Sequence, residues 1–356
     1  MQTQSIKRYL PFVALAILAL LFALWAGLLR LGWSLPDLSN LASIHGPLMV
    51  SGFLGTLIAL ERAVAIRQKW MFAVPVMIGL GWISLLILPP FGVFLLTLGS
   101  LGALGILCVM VHREPKIHTI TMSIGMLAWV IGNILWMFGL PIFQIVFWWQ
   151  AFLILTIGGE RLELSRVLRP AQSQIRLFML AAVILLAGAV LALFKLDWGA
   201  RLSGLAMLSL SFWFLKNDLA MRNIRHPLPL TRYIAICLFA GFIWLGVGGA
   251  FQLYFGAQYA GPYYDAALHT VFVGFVISMI FGHAPIIFPA ILGAPVKFYP
   301  AFYAQFILLH LSLFVRIGGD FLSNQTIRQW GGLFNEIAIL LFLGMTVYSI
   351  VKEIKK

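Results

Sequence analysis

Three observations predict an all-α polytopic membrane fold. The chain is 62% hydrophobic and only 10% charged over 356 residues, a balance that no soluble domain carries. Apolar windows of about 20 residues, the length that spans a bilayer core, recur along it. Proline, glycine and charged residues separate these windows, and the basic ones collect in alternate loops.

The windows place twelve spans near residues 9–30, 42–64, 71–89, 91–111, 118–139, 142–164, 176–194, 199–216, 231–254, 264–291, 298–316 and 329–351. The first follows Lys7 and Arg8 and has a long apolar run without an A-x-A cleavage site, so it reads as a retained helix rather than a signal peptide. No polar segment is long enough to fold separately, and residues 1–356 read as one transmembrane domain. Twelve spans put both termini on one side. Loops on that side hold 19 of the 24 Lys and Arg residues; only Arg30, Lys195, Arg201, Arg316 and Arg328 remain opposite. Both termini are therefore expected in the cytoplasm, with the chain multi-pass in a bacterial inner membrane.

The net charge of +13 does not imply nucleic acid, because the basic residues are scattered between apolar spans. Cys108 and Cys237 lie inside apolar runs and form no CxxC pair. There is no Walker motif, CxxCH, HExxH or Ser-His-Asp pattern, so hydrolase and NTPase readings have no support. The tryptophans, Trp148 and Trp149 among them, read as an aromatic belt.

The stretch from Asp265 to Ala290 organises the chemistry. It is apolar yet carries His269 and His283, fourteen residues apart. On an α-helix that spacing is nearly four turns, about 21 Å, with both rings on roughly one face. Ionisable groups in hydrocarbon are costly and usually face the bundle interior. A site built on neutral imidazole points to a metal centre, with haem foremost. Span 2, IHGPLMVSGFLGTLIALERAVAI, places His45 at the same outer depth as His269, with Gly52, Gly55 and Ala59 on or near its face. The glycines either leave room for a macrocycle or let another helix approach. His283 either serves a site or bonds a carbonyl freed by Pro285 and Pro289. His310 and Glu336, also outer, suit roles beside a metal site. Glu61, His118 and Glu160 share the inner depth of His283. The two glutamates with Glu163 read as interfacial ion pairs, or with His283 as a polar cluster that binds copper or relays protons. His112 and His226 fall in cytoplasmic loops.

With twelve spans, cytoplasmic termini, an outer histidine in the HGPLM of span 2 and another in span 10, the chain resembles the haem-copper oxidase subunit I superfamily. It is more similar to NnrS-like haem membrane proteins of the nitric oxide response. The resemblance implies an oxidase-like bundle in which His45 and His269 are axial ligands of one haem. Spans 6 and 7 lack the histidines that hold copper in oxidases, and span 10 lacks their H-x-H, so dioxygen reduction is not expected. The expected function is haem binding in nitric oxide or redox physiology, with the lipid bilayer, a redox partner or nitric oxide as partners. The alternative is a secondary transporter or metal permease that uses the intramembrane histidines and carboxylates. A third reading is a scaffold subunit whose histidines are structural.

Overall fold

The computed structural model describes residues 2–38, 41–292 and 296–354. The topology argument also uses Lys355 and Lys356, which lie outside the described residues. Every regular element among the described residues is helical. The described residues form twelve long helices: α1 Gln2–Leu31, α2 Leu41–Ile66, α3 Lys69–Ile87, α4 Pro89–Arg113, α5 Ile117–Met137, α6 Ile142–Leu168, α7 Gln172–Ala192, α8 Leu196–Asn217, α9 Pro229–Phe255, α10 Pro262–Pro289, α11 Phe302–Phe321 and α12 Gln325–Ile354. Eleven are long and apolar enough to cross a membrane; the exception is α8, diluted by Asp197, Arg201, Lys216 and three serines. This is a polytopic helical membrane protein.

Local chemistry sets the ends. Helices keep all backbone hydrogen bonds internal, as hydrocarbon demands. Proline opens α4, α9 and α10 within the first turn, where its missing N–H costs nothing. Gly32 and Gly139, at φ 89° and 85°, turn the chain out of α1 and α5. The end of α11 lies five residues beyond expectation, at Phe321 rather than 316. Arg316 is not a loop residue; it and Asp320 lie inside the helix, each in an ion pair.

Two helices change their winding at mid-length. In α2, Leu48–Gly55 is π-helical, and in α10, Thr270–Ile277 is. The two segments correspond in register. Each has glycine fifth and phenylalanine sixth, Gly52-Phe53 and Gly274-Phe275. Each is followed by a hydroxyl residue that bonds back to the glycine carbonyl, Thr56 at 2.6 Å and Ser278 at 2.5 Å. A π turn closes i→i+5, so it spends one residue more than an α turn, and each extra residue rotates the following helix by about 100°. The shared face expected from the fourteen-residue spacing of His269 and His283 therefore does not hold. The same winding breaks the stripe expected from His45 to Ala59.

The chain forms two compact units, residues 1–142 with 287–294, and residues 143–286 with 295–356. In the first, α1 packs on α2, and α3, α4 and α5 follow in antiparallel sequence. In the second, α8 lies against both α7 and α9, α9 packs on the π segment of α10, and α11 pairs with α12. Trp148 and Trp149 are 5% and 1% exposed, so they are core residues and not an interfacial belt.

Candidate functional site

The second unit contains two groups of the same composition, both attached to α10. At its N-terminal end, Asp265 and His269 are one turn apart, a spacing that puts them side by side. Arg316 of α11 grips Asp265 with a fork, Nε to Oδ2 at 2.8 Å and a terminal nitrogen to Oδ1 at 2.8 Å. The same terminal nitrogen donates to Nε2 of His269 at 3.1 Å. Nδ1 of His269 donates to the Asp265 carbonyl at 2.9 Å, which fixes the tautomer and leaves Nε2 as the acceptor. Arg328 approaches Asp265 Oδ1 at 3.5 Å and Asp320 Oδ1 at 3.1 Å. The second contact is an ion pair whose angle does not align it as a hydrogen bond. Asp265, Arg316, Asp320 and Glu336 are all buried, and Glu336 contributes to the field around Arg316.

At the other end of α10, Nδ1 of His283 donates to the Met279 carbonyl at 2.6 Å. This acceptor is the ring's own i−4 carbonyl. It is not one of those freed by Pro285 or Pro289, which are the carbonyls of Phe281 and Pro285. Its Nε2 faces Arg161 of α6 at 3.5 Å. Arg161 is buried and forked onto buried Asp218, at 2.7 and 2.6 Å. Asp218 also accepts from the backbone N–H of Ala220 at 2.7 Å. Each end of α10 thus has an aspartate holding an arginine that caps a histidine. Planar guanidinium suits this, since one fork binds carboxylate and a remaining N–H binds the ring.

The remaining expected residues are placed as follows. His45, in the first unit, donates Nδ1–H to the Ala23 carbonyl at 2.7 Å. Gly52 and Gly55 do not leave room for a cofactor. A Cβ on Gly52 would meet Ala19 and Trp82 at 3.2 Å, and one on Gly55 would meet the Trp129 ring at 2.5 Å. Close helix packing accounts for both. His310 accepts at Nδ1 from the Trp244 indole at 2.9 Å, so its Nε2 carries the proton, and that atom has no partner among the described residues. Its ring packs edge-on against Phe306 at 4.3 Å. Glu61 lies on α2 in the first unit, half-buried, and His118 at the start of α5 is 1% exposed. Glu160 is half-buried beside Arg161 on α6. His112 is exposed at the end of α4. Among the described residues no three His, Cys, Asp or Glu side chains converge as a metal cage. The guanidinium at 3.5 Å from His283 further opposes a copper ion there.

The sequence reading missed the acids and arginines of both groups. It placed Asp265 at the head of the key stretch without a partner and counted Arg316 and Arg161 as topology markers. The i, i+4 spacing of Asp265 and His269 and the burial cost of Arg316 within FILLHLSLFVRIGGDFL were the available signals.

Fold and site together define a polytopic helical membrane protein with charged groups paired inside its bundle. A family model matches residues 8–351, and the chain belongs to that family, described as domain of unknown function DUF8744. No curated protein matches the chain.

Proposed function

We propose that this is a haem-binding, NnrS-like protein of the bacterial inner membrane, with His45 and His269 as iron ligands, acting in nitric oxide or redox physiology. The reading includes twelve crossings in an oxidase-like bundle, α8 among them, with both termini cytoplasmic. The observation that carries it is the tautomer. His45 and His269 each commit Nδ1–H to a backbone carbonyl. Metal-ligating histidines are oriented this way, with the Nε2 lone pair left for the metal. His269 fits on one condition: Arg316 gives up its 3.1 Å contact while keeping its fork on Asp265. A haem so held supplies one-electron chemistry and binding of a diatomic gas. The chain's own residues orient the rings and exclude water. The test is the reduced-minus-oxidised spectrum of wild type, His45→Ala and His269→Ala. A low-spin signal that either substitution abolishes or converts to high spin is expected. A purified protein without a Soret band, or unchanged spectra in both variants, overturns the proposal.

A second reading, a secondary transporter coupled to protons, is favoured by the two Asp–Arg–His groups at opposite ends of α10. Intramembrane ion pairs of this kind mark solute and proton paths. It predicts a colourless protein and proton-dependent solute flux in liposomes, lost in Asp265→Asn. Flux equal to empty liposomes removes it.

A further inference from the structure

Gln150 of α6 and Gln252 of α9 are both buried, at 0% and 4% exposure, and meet through one hydrogen bond, Gln252 Nε2 to Gln150 Oε1 at 3.0 Å. An amide pair offers two donors and two acceptors at its ends. Here Gln150 Nε2 and Gln252 Oε1 have no partner. Turning both amides over exchanges the roles and still leaves one donor and one acceptor unmet. Gln252 lines a partly open cavity of about 20 Å³ walled by Phe147, Phe251 and Phe255, and Gln258 lines it too. A cavity of this size exceeds the roughly 10–15 Å³ that one water requires. Its walls carry no charge, so an ion is excluded by its own desolvation.

We infer that this cavity is a binding site for one water molecule, held by the amide of Gln252, whose own partner is Gln150. Water both donates and accepts, so it serves whichever atom Gln252 presents. The site has a defined neighbour. Tyr264, Ala267 and Leu268 of α10 line the same cavity, while Asp265 and His269 of that helix hold Arg316. The first two turns of α10 therefore present the water site on one face and the ion pair of Asp265 on the adjoining face. The inference stands independently of haem.

The test is X-ray-pulsed hydroxyl-radical footprinting of the full chain in detergent. Radicals born from a bound water oxidise the side chain touching it. Phe147, 7% exposed, should be oxidised several-fold faster than Phe53 and Phe342, at 7% and 5%. Gln252→Leu removes the cavity-lining amide, and Ala200→Leu fills the cavity while keeping both amides. In either variant, if folded by circular dichroism, Phe147 oxidation should fall to the level of the controls. Wild-type Phe147 oxidised no faster than Phe53 and Phe342 overturns the inference. So does undiminished oxidation in a folded variant. Should neither variant fold, the wild-type comparison still decides.

Discussion

Arg316 reaches Nε2 of His269 with the same nitrogen that holds Asp265, so the histidine and the ion pair are one unit. Removing either charged partner leaves the other buried with only its weaker counter-charges, Arg328 for Asp265 and Asp320 with Glu336 for Arg316. Arg316→Leu and Asp265→Leu should each destabilise the fold by about 3–5 kcal/mol, and the double variant by much less than their sum. Thermal unfolding in detergent measures all three. Additive losses would show that the pair is solvated rather than buried.

A second prediction concerns the glycines of α2. The Trp129 ring occupies the space beside Gly55, and its Nε1 donates to Ser51 at 3.0 Å. Gly55→Val should cost about 1–3 kcal/mol through overpacking. Combining it with Trp129→Ala should cost less than the two single changes added, because the smaller residue makes the space. If Gly55→Val leaves thermal stability unchanged, the close approach at this position is wrong.

These two cases show what was legible beforehand. Eleven of the expected spans and most boundaries followed from hydrophobic length, since hydrocarbon thickness fixes span length whatever the tertiary packing. The histidines stood out because ionisable groups are rare in such runs. The charged partners around Asp265 and His269 did not, because Arg316, which reaches both, and Arg328, which approaches Asp265, come from α11 and α12, and no local pattern links them to residue 265. The π segments were invisible for another reason. Their sequences, LMVSGFLG and TVFVGFVI, are as apolar as any α-helical span, and only the hydrogen-bond pattern distinguishes them. Phase arguments that assumed 3.6 residues per turn failed there, as they did for His269 and His283.

A pH effect is expected outside the apolar spans. Asp197 sits at the start of α8, where Arg201 donates to its carboxylate at 2.8 Å and the Ala257 N–H donates at 3.1 Å. Arg201 first, and then that backbone bond, hold its carboxyl below the usual 3.8. A carboxyl depressed by folding contributes stability that is complete above its unfolded pKa and lost as pH falls through the folded value. The clip between α8 and residues 256–257 should therefore hold at pH 5 and open below pH 3.8. Pepsin cleavage near residues 256–261 should accelerate over that range in wild type. Asp197→Asn should already be cleaved fast at pH 4.5. Identical pH profiles for the two proteins would dismiss the clip.

The number of crossings turns on α8. α8 is 22 residues long, sufficient in length at 1.5 Å per residue, yet it is the long helix outside the eleven apolar enough by composition. Its polarity is concentrated at its ends. Asp197 and Arg201 pair with each other at the start, and Lys216 lies in the last turn. Arg201 also donates to the carbonyls of Leu253 and Tyr254 at the end of α9, at 2.8 and 3.1 Å. Two of the three serines in the stretch between are satisfied internally: Ser209 bonds the Leu205 carbonyl and Ser211 that of Phe242, at 2.8 and 2.6 Å, while the buried Ser203 hydroxyl has no partner among the described residues. Its outer face shows Leu205 and Phe212. A helix built this way is expected to cross, because its charges sit at the rims and two of its three serine hydroxyls are paired. Reporter fusions at residues 172, 225 and 356 should all report the cytoplasm, and a fusion at residue 195 the opposite side. If α8 does not cross, the fusions at 195 and 225 report the same side, and residue 356 reports opposite to 172. That outcome removes the cytoplasmic C-terminus and the shared outer depth of His45 and His269 that the haem proposal uses.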